Sequence, residues 1–372
     1  MTEGTQSLTI RIGADFASNW CHVRHFHAAL VATDGVKIST DSDAPVDFYL
    51  ARRYSASCED TNADRTVLFL RHDPHTMVLD CDVSRFAIPE MVGWLRHTEY
   101  RDARFDHSFH VAMTQRMQQS RVTSAGPSNQ RPFAEIFAEY NIIAAPFLDV
   151  YDFLRPRVPA AQFLRVPISV PERIFFSDPA ASRFIDVFFM GAVGVYYPLR
   201  ALVLQTLRSL CATWPNPRNN LKFWHASAAT NQGQSLWLMP ADAYDAQQLW
   251  YADCLRHSKM MIFDGTVFNY PVQKFFEAMA CGCLVLAPAP REAEIFGFVD
   301  GATMVAVNPE NFMEKIYYYK EHTDERQAIV DRAYQLVQAN YTCTAQARIF
   351  VQKLQAIRAG TAVETLNTFF TV

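Results

Sequence analysis

The sequence predicts an α/β protein made of two doubly wound, Rossmann-like domains. Three observations predict it. The chain has 372 residues, which fits two units of common domain size, each with a core of its own. Short apolar runs alternate with longer segments of helical period in both halves. In the second half, Gln273–Ala287 reads as a helix, a glycine stop and a buried strand in immediate succession.

The elements follow in order. Leu8-Thr-Ile-Arg-Ile-Gly13 alternates as a first strand and leads to Ala14-Asp15. A helix is expected from about Trp20 to Val31, capped by Ser18 or Asn19. Asp47–Leu50 and Arg65–Leu70 are further strands, and Pro127–Pro132 is a turn-rich break. Asn141–Pro146 and Phe163–Pro167 bring the chain to a junction at Pro167–Pro179, whose prolines favour an extended connection. Beyond it come the strand Ile185–Met190, a helix from about Tyr197 to Ala212 and the strand Leu221–Trp224. A helix near Ala243–Ser258 and the strand Met260–Phe263 follow.

A turn at Asn269-Tyr270-Pro271 enters the helix Gln273–Ala280, with Phe275, Phe276 and Met279 turned inward. Gly282 stops that helix, because glycine enters the left-handed region cheaply, and Cys283–Ala287 is apolar on both faces like a buried parallel strand. Helices near Asn311–Tyr319 and Glu325–Ala339 close the second domain, and a tail helix spans Cys343 to about Arg358. The expected domains are residues 1–166 and 167–345, with 346–372 as a tail returning to the first.

Composition narrows the function. Half the residues are hydrophobic and 19% are charged, a globular balance. A formal net charge of −4 removes the electrostatic basis for nucleic-acid binding. The eight cysteines form no CxxC pair, which fits reduced thiols in a cytoplasmic protein. Cys281 and Cys283, two apart with no partner pair, have poor zinc spacing. Met1–Thr9 is polar, and no apolar run approaches the ~20 residues of a spanning helix. A soluble protein is expected, compatible with peripheral membrane association if its acceptor is a lipid.

Lys274-Phe-Phe-Glu-Ala-Met-Ala-Cys-Gly282, then Phe298-Val-Asp-Gly301, then Tyr341-Thr342 with Arg348, resemble the nucleotide-sugar-binding half of group 1 GT-B glycosyltransferases. The similarity is greatest to the bacterial branch that includes spore-maturation glycosyltransferases. Upstream, Asp186–Gly191 with Tyr197-Pro-Leu-Arg200 resembles the entry to the same domain, and Ile168–Phe175 resembles the interdomain crossover. The matching pieces span roughly residues 165–355, and none reaches the first half. The resemblance implies two Rossmann-like domains facing a central cleft, with donor bound by the second and acceptor by the first. It implies a hexosyltransferase-type enzyme of bacterial glycan biosynthesis, using a nucleotide-diphosphate sugar and no further cofactor. The acceptor would be a hydroxyl of a glycan, a lipid-linked glycan or a small molecule.

Several residues carry the expected donor chemistry. Gly191 and Gly194 lie between a strand and a helix whose first turn contains Pro198, where backbone N–H groups and the helix dipole can face a diphosphate. Their spacing is not a full dinucleotide fingerprint. Arg200 and Lys274, each near a helix start, are candidates to neutralise the leaving diphosphate, Arg through a fork and Lys as a point charge. Glu277 is the one carboxylate of an apolar helix, and the resemblance implies that it contacts the ribose. Asn269 and Tyr270 complete the expected donor set. Many retaining members carry a second glutamate where this chain has Asn269, so donor sugar and stereochemistry stay open.

The first half holds eight of the eleven histidines, with His22/His25, His72/His75 and His107/His110 spaced i,i+3. Metal binding, cleft lining and ordinary packing all remain open for them. Asp15, just past the first strand's carboxyl end, is placed to deprotonate an acceptor hydroxyl, with His72 and Asp73 in reserve. Asp80-Cys-Asp82 offers a rival reading, because it resembles the metal-holding Asp-x-Asp of GT-A glycosyltransferases. Such matches arise cheaply, and Asp41-Ser-Asp43 is another. A nucleotide-sugar epimerase or hydrolase of GT-B shape is the further alternative.

Overall fold

The computed structural model describes residues 7–13, 21–51, 62–69, 137–146, 155–156, 158–191, 193, 197–212, 221–226, 240–265 and 270–367. Asp15, His72, Asp73, Asp80, Asp82, Gly194 and Asn269 lie outside these residues, as do the Ser18/Asn19 cap, the break at Pro127–Pro132 and His75, His107 and His110. Among the described residues the chain forms two compact α/β units. One takes the chain through Ser169 and again from Cys343, and the other takes Val170–Thr342.

The first unit holds six parallel strands: β1 (Leu8–Ile12), β2 (Val36–Ile38), β3 (Val46–Ala51), β4 (Ala63–Phe69), β5 (Ile142–Ala145) and β6 (Gln162–Arg165). Their spatial order is β2-β1-β3-β4-β5-β6. Helix α1 (Cys21–Val31) connects β1 to β2. β2 carries only three residues, too short for a period to show in sequence, and it was not expected.

The core of this unit is closed from far along the chain. The tail helix, numbered α7 below (Cys343–Arg358), supplies Ala347, Phe350, Val351, Leu354 and Ile357 to the cluster formed by β1, β3, β4 and α1. Phe350 meets Phe26 and Phe69 with ring centroids 6.0 and 5.6 Å apart, and Phe26 stacks on Phe69 at 5.1 Å. Polar ties follow the same route: Arg65 Nη1 donates to the Ile357 carbonyl, and Arg358 pairs with Asp47 at 3.1 Å. Asn367 covers the β6 edge as a strand would, accepting from Arg165 N at 2.6 Å and donating to the Phe163 carbonyl at 2.9 Å.

The second unit holds five parallel strands: β7 (Ile185–Met190), β8 (Phe223–Ala226), β9 (Ser258–Ile262), β10 (Leu284–Ala287) and β11 (Val305–Ala306). Their order is β8-β7-β9-β10-β11. The helices are α2 (Pro198–Ala212), α3 (Ala241–Arg256), α4 (Gln273–Ala280), α5 (Phe312–Glu321) and α6 (Thr323–Asn340). One sheet face packs on α2, α5 and the middle of α6 through Leu199, Val203, Leu207, Ile316 and Ile329. Chain order reverses direction at β7, so the crevice at the carboxyl ends of β7 and β9 is the topological switch point, where open α/β sheets bind ligands.

Both units are Rossmann-like, as expected from the alternation of strand and helix. The helix ends differ from the expected ones by a few residues, and the strand expected at Leu221–Trp224 lies at Phe223–Ala226.

Candidate active site

The motif pieces of the second half meet in one aromatic cluster. Phe275 stacks on Phe298 at 5.0 Å and meets Phe263 edge-on at 4.9 Å. Phe276 meets Tyr341 at 4.8 Å and Phe298 at 5.3 Å, and the Tyr341 hydroxyl donates to the Phe296 carbonyl at 3.0 Å. Sequence neighbours of Lys274 and Glu277 therefore serve to fix α4 against β9, the loop after β10 and the start of α7's approach. This is packing, and it holds the charged residues of α4 at a defined place.

Gly282 shows the φ of +67° its helix-stopping position requires. A Cβ there would also stand 2.7 Å from both Arg183 Nη2 and Ser177 Oγ. Arg183 is a residue that the sequence did not single out. Its guanidinium donates to the carbonyls of Ser258 at 2.6 Å and Cys281 at 2.9 Å, tying the end of α4 to the start of β9. Cys281 and Cys283 are fully buried, and burial raises both thiols, Cys283 to about 12.

Gly191, Arg200 and Lys274 come together at the switch point. Gly191 follows β7 with φ +144°, and a Cβ built on it would lie 2.8 Å from Arg200 Nη1 and 3.4 Å from Lys274 Cε. Glycine is required there by both conformation and space. Arg200 is buried, its charge set against Asp264, the second residue beyond β9. Arg200 Nε stands 2.8 Å from Asp264 Oδ1, and Nη2 donates to the Asp264 carbonyl at 2.7 Å. The guanidinium carbon lies 3.7 Å from the centre of the Tyr197 ring, a close cation–π contact.

Asp264 Oδ2 also accepts the N–H groups of Leu199 at 3.1 Å and Arg200 at 3.4 Å. Pro198 has no N–H, and Ala201 N donates to the Tyr197 carbonyl. The first-turn donors of α2, which were expected to face a diphosphate, are thus taken up inside the unit. Burial pushes the Asp264 carboxyl above the usual carboxylate range, while Arg200 and the two N–H groups pull it back.

Glu277 is buried on α4, where its charge acts on the Tyr251 hydroxyl of α3, which itself donates to Met261 Sδ at 3.6 Å. Burial first, and then the Glu277 charge, hold that phenol well above its ordinary range. Tyr270 is buried as well, with its carbonyl 2.5 Å from where a Gly265 Cβ would stand. Only glycine fits at 265. Asp264 and Tyr251, which stand beside candidate residues, were missed by sequence reasoning. Asp264 had a usable signal, since it follows a predicted strand as Asp15 does. Tyr251 had none, because only packing brings α3 to α4.

In the first unit, His22 is buried and His25 half-buried on α1. The Asp41-Ser-Asp43 match is a turn in which Asp43 N donates to Asp41 Oδ1, held by Arg11 through the carbonyls of Asp41 and Ala44. Among the described residues no group of three or more His, Cys, Asp and Glu could hold a metal ion, and no helix is long and apolar enough to cross a membrane.

Residues 217–352 match the family model described as glycosyl transferase-like. Over these residues the chain is similar to that family. The matched stretch includes Asp264, Lys274 and Glu277 and leaves Gly191 and Arg200 upstream, although the structure joins all five in one unit. No curated protein matches the chain. Among solved structures, it is similar to sucrose-phosphate synthase from Thermosynechococcus elongatus at 13% identity, covering 95% of this chain and 100% of that one with a TM-score of 0.48. It is similar to Anabaena HepE in complex with UDP and glucose at 9% identity, covering 94% and 100% with a TM-score of 0.45. AviGT4, a glycosyltransferase involved in avilamycin A biosynthesis, is similar at 11% identity, covering 95% and 99% with a TM-score of 0.44.

Proposed function

We propose that this protein transfers a sugar from a nucleoside-diphosphate sugar to a hydroxyl acceptor, and that the donor binds at the switch point of the second unit. The observation that carries the reading is the convergence of Arg200 and Lys274 over Gly191 at the carboxyl end of β7. Two cationic side chains beside a backbone without a side chain suit a diphosphate, whose negative charge grows as the sugar departs. In this reading Arg200 and Lys274 neutralise the leaving group, Glu277 accepts from ribose hydroxyls, and Asn269 and Tyr270 flank the donor.

The first unit would bind the acceptor, with Asp15, His72 or Asp73 taking its proton. Because side-chain cations serve the diphosphate, turnover is expected to persist in excess EDTA. Loss of activity with EDTA, restored by Mn²⁺ or Mg²⁺, would move the metal question to Asp80 and Asp82.

The test is direct. Calorimetric titration with UDP, GDP, ADP and dTDP should find one that binds, and the matching nucleotide sugars should be consumed only when a hydroxyl acceptor is present. Binding of none of the four would overturn the reading. Consumption without any acceptor would turn it into an epimerase or hydrolase acting on the nucleotide sugar itself.

A further inference from the structure

We propose that Asp264 is the positioning residue of the anion site, orienting Arg200 so that its Nη1 edge faces Gly191 and Lys274. The inference rests on the reading of the switch point as a nucleoside-diphosphate site. It comes from how the guanidinium is shared out. The Nε edge is set against Asp264 Oδ1 at 2.8 Å, and Nη2 is held by the Asp264 carbonyl at 2.7 Å. The Tyr197 ring closes one flat face at 3.7 Å. With these three contacts in place the planar group has one orientation, and it brings Nη1 within 2.8 Å of the space a side chain at 191 would fill.

The same carboxylate takes up the N–H groups of Leu199 and Arg200. Consequently the helix α2 terminus does not act as the anion site by itself, in contrast to a bare helix N-terminus. The anion is received by side-chain cations, and one of them depends for its direction on a carboxylate that the anion never touches. Asp264 therefore reaches the anion only through Arg200, while it also caps the start of α2, and a nucleoside control separates the two roles.

The experiment is a double-mutant cycle on the full chain. Its probes are whichever of UDP, GDP, ADP or dTDP binds best and the matching nucleoside without phosphate, and thermal melting identifies which variants fold. Asp264→Asn should weaken diphosphate binding by about tenfold, the loss of one charged hydrogen bond's worth of orientation, and leave nucleoside affinity unchanged. Asp264→Glu keeps the charge but displaces the guanidinium, and should show the same selective loss if the Asn variant does not fold. In an Arg200→Lys background, Asp264→Asn should add less than about a twofold further loss. Full diphosphate affinity in a folded Asp264 variant, equal loss of nucleoside and diphosphate, or full additivity in the double variant would each overturn the inference alone. A wild-type chain that binds none of the four nucleoside diphosphates would overturn the underlying reading as well.

Discussion

The two units share a topology and spend buried charge differently. Each is a parallel sheet whose strand order reverses next to its first strand. In the second unit, Arg200, Asp264 and Glu277 are all buried in or beside the elements that end or begin at the β7/β9 crevice, and the half-buried Lys274 stands next to Gly191. In the first unit, the described buried charges serve the scaffold. Arg11 ties down the loop before β3, and Arg165 and Lys353 lie together at the β6 edge, where Lys353 Nζ donates to the Arg165 carbonyl at 2.9 Å. Topology alone would nominate both switch points. Among the described residues the buried ionic groups concentrate at the second unit's crevice, and function is argued from sites and not from folds.

The sharpest way to break this contrast is Arg200→Ala. Removing one partner of a buried pair strands the Asp264 charge, at a cost of about 3–5 kcal/mol. The variant should melt well below the wild type and lose nucleoside-diphosphate binding. A destabilised variant that still binds normally when folded would show that the crevice charges are as structural as those of the first unit.

Lys353 tests the other side. Burial, reinforced by Arg165, lowers its ammonium to about 8. A lysine depressed in the folded state makes folding less favourable at pH below about 8, and that penalty lifts as pH rises toward the unfolded value near 10.4. Lys353→Met should gain on the order of 3 kcal/mol relative to wild type at pH 7, with the advantage shrinking between pH 8 and 10.5. Denaturant titrations across that range would measure it. Activity should not follow the same curve if the charge is structural.

Glu277→Ala should weaken nucleotide binding by about 1.5–3 kcal/mol, the range for hydrogen bonds to a charged group. Titration with nucleoside as well as diphosphate isolates the effect, since a ribose contact is common to both. Unchanged affinity in a folded variant would remove Glu277 from the donor site. The smallest change is expected for Asn367→Ala, which removes two hydrogen bonds from the β6 edge. About 1–2 kcal/mol of stability should go, with nucleotide affinity intact. Loss of binding there would contradict the assignment of the donor to the second unit.

Much of the fold was legible because parallel strands buried on both faces are continuous apolar runs, and helices carry long periods. Ile185–Met190, Gln273–Ala280 and the tail helix were readable on that basis. β2 and β11 were not, since two or three residues cannot show a period. Of the site, Gly191, Arg200, Lys274 and Glu277 could be nominated from their places at strand ends and helix starts. The sequence by itself determined which residues could be nominated for phosphate and sugar contacts, because charge and backbone freedom are local properties. Only the tertiary structure decided how that charge is shared. Asp264 lies 64 residues beyond Arg200 and reaches its helix only because β9 pairs beside β7, and Tyr251 reaches Glu277 only because α3 packs on α4. Buried ionic partners are set by three-dimensional neighbourhood, and in a doubly wound sheet that neighbourhood joins segments distant in sequence.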